Sequence, residues 1–195
     1  MKNDTNYFAK VAVLAAVAFV LMLVEFPLPF VPPFYKMDFS ETAVLIGGFA
    51  LGPMAGVIIE AIKIIMNVLF TGTQTAYVGE IANFLIGISF CLPAAIIYNH
   101  HKTKESAIRG LATGGAVMCL VGMLMNALVL LPAYSHFFHI PMDALIGMGT
   151  KLVPLIHDRF TFVLFATTPF NLVKAVAVSL VTMLVYKRIS PLLHR

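Results

Sequence analysis

The feature that most constrains this chain is a set of apolar runs long enough to cross a bilayer. One runs from Thr161 to Tyr186 and holds a single formal charge, Lys174. Spanning a hydrocarbon core takes about 20 residues of helix. Backbone polar groups inside lipid must be satisfied within the spanning structure, so only helices and closed barrels qualify. Barrel strands alternate in polarity, whereas these runs are continuous, so helices are predicted. Charged residues make up 11% of the chain, less than half the roughly 25% of soluble domains, and mean hydropathy is +0.93. The 195 residues hold about six such helices with short loops. The chain reads as an all-α integral membrane protein, a single domain over 1–195 with six transmembrane helices.

The predicted helices cover 7–26, 41–51, 53–70, 79–98, 108–131 and 161–186. Lys2 and Lys10 precede the first apolar run, and Ala16-Val17-Ala18 imitates a signal-peptide cleavage site. The run continues past it to Val24, which predicts a retained helix. Ala12 and Ala16 on this helix have the small-xxx-small spacing that admits another helix closely, from within the bundle or from a separate subunit. The loop over 27–40 carries four prolines and the aromatics Phe30, Phe34 and Tyr35. It is predicted to be extended and stiff, serving as a headgroup anchor or as a lid. Gly52-Pro53 breaks the next two helices almost without a loop, and Pro93 is predicted to kink the fourth. The connection over 132–160 is predicted to be long, with room for a short surface helix.

Basic residues are unevenly placed. Lys2, Lys10, Lys102, Lys104, Arg109, Lys187, Arg188 and Arg195 fall on one side of a six-span topology; Lys36, Lys151 and Arg159 fall on the other. The positive-inside rule puts both termini in the cytoplasm. The 27–40, 71–78 (with Gln74) and 132–160 loops then face outward, as do Asp38, Glu41, Glu80, Asp143 and Asp158.

A lysine in the middle of a spanning helix costs about 2.5–3.5 kcal/mol on insertion scales and is tolerated where it faces protein or a watery cavity. Lys174 therefore pairs with another helix or lines a ligand site. Asn171, three residues earlier, shares its helical face. Asn83 and Asn126 lie at similar depth on their own helices, which predicts an outward pocket with apolar walls and a few convergent polar groups. Glu80, Asp38 and Tyr35 are further candidates for its lining. An asparagine amide offers donor and acceptor together, matching an imide or amide edge, and a lysine donates to ring carbonyls. Abundant Phe, Met and Leu suit an aromatic ring. Glu60 and Lys63, also three apart, are predicted to neutralise one another.

Other chemistries find little footing. No G-x-x-x-x-G-K-[ST] is present, so the chain is not itself an ATPase, and no nucleic-acid partner is expected. No Ser/His/Asp set is apparent. Cys91 and Cys119 fall inside helices without metal or disulfide spacing. His136, His139 and His157 lack a thiol or a well-placed carboxylate, so no metal site is expected.

Several segments together resemble a known family. They are Phe19-Val20-Leu21-Met22-Leu23, Lys36-Met37-Asp38-Phe39-Ser40-Glu41, Gly52-Pro53-Met54-Ala55-Gly56 and Glu60-Ala61-Ile62-Lys63. Gly79-Glu80-Ile81-Ala82-Asn83-Phe84, Asn126 before Leu131-Pro132-Ala133-Tyr134, and Pro169-Phe170-Asn171-Leu172-Val173-Lys174 complete the set. In this order they resemble the riboflavin-specific substrate-binding (S) components of energy-coupling factor (ECF) vitamin transporters. The resemblance implies a six-helix S-component bundle in the bacterial plasma membrane, gated by the loop after the first helix. It implies that Asn126, Asn171 and Lys174 hold the isoalloxazine edge, with riboflavin bound as substrate and no cofactor. It also implies that Ala12 and Ala16 dock a membrane coupling subunit, and that two cytoplasmic ATPases complete the complex. Ala175 departs from the family pattern, which often has glycine there. Uptake of FMN or another vitamin, a small intramembrane enzyme using Glu60 and Lys63 or the outer histidines, and a purely structural subunit are the alternatives.

Overall fold

A computed structural model describes residues 2–73 and 75–193. Gln74 and Arg195, counted above, lie outside them. The helices are α1 (Lys2–Leu23), α2 (Ser40–Leu51), α3 (Pro53–Thr71), α4 (Val78–His101), α5 (Lys104–Met125), α6 (Leu131–Phe137), α7 (Met142–Thr150), α8 (Arg159–Phe162) and α9 (Thr168–Leu193). π-Helical turns at Asn126–Leu130 and Val163–Thr167 join α5 to α6 and α8 to α9. Among the described residues, five helical runs are long and apolar enough to cross a membrane: Thr5–Leu23, Pro53–Thr71, Val78–His101, Lys104–Phe137 and Arg159–Arg188.

α2 is too short to join that group at 12 residues, and it occupies the middle of the bundle. Every residue from Ser40 to Phe49 is buried. A helix that is apolar all round belongs inside protein, and α2 packs on α1, α3, α4 and α9. Lipid gives helices no hydrophobic reason to associate, so close packing of small side chains carries more of the load. Ala15, Ala18, Ala43, Ala94 and Ala95 are buried in this inner core with Phe49 and Phe90. Gly52 alone separates α2 from α3. Its φ of +104° is a conformation that favours glycine, and Pro53 opens α3 where its missing N–H costs nothing.

The sequence-based boundaries differ most around 132–160. The helix that was expected to stop at 131 continues to Phe137. In the intervening π-helical turn, Leu131 N–H bonds the Asn126 carbonyl. Pro132 therefore falls in the first turn of α6, where proline is tolerated. The predicted surface helix is α7, half-embedded through Leu145 and Gly149. The last helical run starts at Arg159 rather than 161, because Asp158 and Thr161 form a reciprocal cap. Backbone and side-chain hydrogen bonds from Thr161 hold the exposed Asp158 carboxyl below the usual carboxylate range. The first helix ends at Leu23 instead of 26, and the fourth runs on through His100 and His101.

The proline-rich loop is not free. A two-residue antiparallel pairing, β1 (Phe26–Pro27) with β2 (Lys36–Met37), closes it into a hairpin, and Lys36 ion-pairs with Glu25 at its base. Val31, Tyr35 and Met37 are buried in a second, outer core with Leu131, Ile156, Phe162 and Phe170. Phe34 stacks on Phe162, with ring centroids 6.3 Å apart.

Candidate functional site

Beneath the hairpin lies a cavity of about 660 Å³, within the 300–1,000 Å³ range of small-molecule sites. Tyr35, Asp38, Glu80, Asn83, Asn126, Asn171 and Lys174 all line it. These are the pocket residues singled out from the sequence, brought together from the hairpin, α4, α5–α6 and α9. Phe34, Tyr134, Phe138 and Phe170 supply aromatic wall. Ala12 and Ala16 lie elsewhere, on the exposed face of α1.

The α5–α9 wall is built around Asn126 and Asn171. Asn126 Nδ2 donates to the Gly122 carbonyl at 2.8 Å, and its Oδ1 accepts from Tyr35 Oη at 2.6 Å. Tyr35 Oη also lies 2.7 Å from Thr167 Oγ1. Its one proton goes to Asn126, so Thr167 donates to it. Burial pushes the Tyr35 hydroxyl above its ordinary range, which keeps it protonated. Both partners sit in the π-helical turns, a geometry frequent at functional sites. The hairpin is thereby pinned to both walls by one hydroxyl. Asn171 is 4% exposed, and its Nδ2 has no hydrogen-bond partner among the described residues. Such a buried donor costs about 1–3 kcal/mol when left unmade. Gly122 makes room for it: a Cβ there would run into Asn171 Nδ2.

Lys174 reaches the cavity and is also paired. Its Nζ lies 2.9 Å from Asp38 Oδ2 and 3.1 Å from Glu41 Oε2. Burial alone would raise the Asp38 carboxyl. The Lys174 and Lys63 ammoniums, with hydrogen bonds from Ser40 and Lys174, outweigh it and hold Asp38 well below the usual carboxylate range. The chain of charges then continues inward. Lys63 Nζ lies 3.0 Å from Ser40 Oγ, 3.4 Å from Glu41 Oε1 and 2.8 Å from Glu60 Oε1. The last contact is a close ion pair between two fully buried side chains three residues apart on α3. Glu60 and Lys63 are fully buried, so neither opens onto the cavity. Glu41, assigned from the sequence to an outer face, is buried at 1% exposure between the two lysines.

The sequence showed only part of the corner where α3 meets α4, through Glu80 and Asn83. Asn67, Thr71 and Thr75 also line the cavity, and Thr75 Oγ1 donates to Glu80 at 2.5 Å. Thr167 was missed as well. Isolated threonines and asparagines near helix ends give no signal that separates lining from ordinary capping. Cys91 and Cys119 are unpaired thiols. Among the described residues, no three His, Cys, Asp or Glu side chains are grouped to hold a metal.

Comparison with known proteins fits this arrangement. Residues 6–186 match the family of ECF transporter substrate-specific components. Riboflavin transporter RibU of Staphylococcus aureus (strain TCH60) is 36% identical over 185 residues, covering 95% of this chain and 90% of that protein. Riboflavin transporter FmnP of Bacillus subtilis (strain 168) is 33% identical over 182 residues, covering 93% and 90%. The fold matches the solved S component of a bacterial ECF transporter across the full length of both chains, with a TM-score of 0.75 and 34% identity. The five spanning runs and this family place the chain as a multi-pass protein of the bacterial plasma membrane. The chain is a member of the family of ECF transporter substrate-specific components.

Proposed function

We propose that this chain binds riboflavin and serves as the substrate-specific component for its uptake by an ATP-driven ECF transporter. The observation that carries the reading is the convergence of Asn126, Asn171 and Lys174 on one wall of the cavity beneath the hairpin. Together they offer two amides and an ammonium to the imide edge of a flat ring. Phe34, Tyr134 and Phe170 flank the ring, and Tyr35 and Asp38 hold the hairpin over it. Asn83 and Glu80 meet the polyol chain. The relatives named as riboflavin transporters support the choice of ligand.

In this reading α2 counts as a sixth, short span, which puts both termini on the cytoplasmic side in keeping with the basic residues. Riboflavin is cargo, not cofactor, and no bond is made or broken in it. Ala12 and Ala16 form a small-residue face for a membrane coupling subunit. ATP hydrolysis belongs to two cytoplasmic partner subunits, since this chain has no phosphate-binding loop.

Detergent-purified protein should quench riboflavin fluorescence tightly at one ligand per chain. A folded protein that leaves riboflavin unquenched would refute the reading.

A further inference from the structure

The charges around the cavity are unevenly matched. Glu25, Lys36, Asp38, Glu80 and Lys174 line it. Lys36 is paired with Glu25, and Lys174 with Asp38 and Glu41. Glu80 has only a neutral partner among the described residues, the Thr75 hydroxyl at 2.5 Å. It is half-buried, at the head of α4, in a corner otherwise lined by Asn67, Thr71, Thr75 and Asn83. Lys151 and Arg159, the other cations near the outer loops, do not line the cavity. The α3–α4 corner is therefore rich in hydroxyl and amide groups and carries one unmatched negative charge.

We infer that Glu80 is a specificity-determining residue, which admits a neutral polyhydroxyl tail and opposes the same tail ending in a phosphate monoester. The inference rests on the riboflavin reading above and deepens it. A carboxylate is an acceptor only, so it suits the O–H donors of a polyol. A phosphate monoester brings about −1.5 to −2 charges and no useful donor at neutral pH. Binding one here sets it against Glu80 with each nearby ammonium already engaged by a carboxylate. A phosphate site is ordinarily built the other way, from free arginines, lysines or backbone N–H groups.

The test compares riboflavin with its 5′-phosphate, FMN, by fluorescence quenching of the purified protein. Wild type should bind riboflavin more tightly than FMN. Glu80→Gln keeps a carbonyl acceptor and removes the charge. Losing the charge-assisted bond to the polyol should weaken riboflavin by up to about tenfold, while FMN is relieved of the repulsion, so the riboflavin-to-FMN ratio narrows by about tenfold. Should the variant not fold, wild type alone decides through salt. The ratio should shrink between 0.05 and 0.5 M NaCl, because screening relieves the charged ligand and leaves the neutral one unmoved. An unchanged ratio in Glu80→Gln, or a salt-independent ratio in wild type, would overturn the role of Glu80 while leaving riboflavin binding intact. Folded wild type that binds neither flavin would instead overturn the riboflavin reading itself.

Discussion

Lys174 Nζ and Asp38 Oδ2 lie 2.9 Å apart across 136 residues of sequence. Lys174 belongs to the cavity wall on α9. Asp38 belongs to the end of the hairpin, where its other oxygen accepts from Ser40 N at 2.8 Å. The pair ties the cover of the cavity to its wall. It also explains how the bundle tolerates a charge in the middle of a spanning helix.

Lys174→Ala should therefore do more than weaken riboflavin binding. It leaves Asp38 and Glu41 buried beside only Lys63, and loss of one member of a buried pair costs about 3–5 kcal/mol. Thermal unfolding in detergent should show a large drop in Tm. Lys174→Met with Asp38→Asn should recover part of that stability, since fewer buried charges are left unpaired. A double variant as unstable as the sum of the single ones would contradict the coupling.

Tyr35→Phe removes the hydroxyl shared by Asn126 and Thr167 and keeps the aromatic packing. Two hydrogen bonds at about 1 kcal/mol each bear mainly on the hairpin. The expected outcome is a riboflavin off-rate roughly tenfold faster in stopped-flow fluorescence. Unchanged dissociation would mean the hairpin is not held by this hydroxyl.

Gly122→Ala places a methyl group where Asn171 Nδ2 now sits. The amide must turn away, and affinity should fall by about tenfold or more. A variant with wild-type affinity would show that Asn171 is not fixed by this contact.

Ala12→Phe and Ala16→Phe alter the exposed face of α1, away from the cavity. Riboflavin binding by the isolated chain should persist, while uptake by cells carrying the whole transporter should be lost. Normal uptake would remove this face from the docking surface.

The Asp38 carboxyl is held below its ordinary range. A depressed native value means that its stabilisation is complete above the unfolded value, about 3.9. That stabilisation is lost only as pH falls through the lower native value. The hairpin anchor should thus be constant from pH 8 to 5, and riboflavin affinity measured across that range should show no step from it.

Much of the site was legible because lipid makes polar residues conspicuous. Lys174 stood out as a lone charge in an apolar run, and Asn171 followed from helical spacing. Both line the cavity, although the carboxylates that hold Lys174 come from the hairpin and α2, at separations no periodicity reveals. Glu41 read as an outer acid because it opens a helix; only packing shows it buried between two lysines. Pro132 read as a helix end, because a π-helical turn that re-phases the chain leaves no mark in composition. Thr167 and Thr75 were invisible for a simpler reason: a threonine in or near an apolar run is ordinary until its partner is known.

The most direct measurement is a riboflavin titration of purified wild type and Asn171→Ala, followed by fluorescence quenching. Wild type should show tight one-to-one quenching, and Asn171→Ala an affinity weakened about tenfold or more with its Tm nearly unchanged. Equal affinity in the two proteins, both folded, would contradict the placement of the ring edge against Asn171.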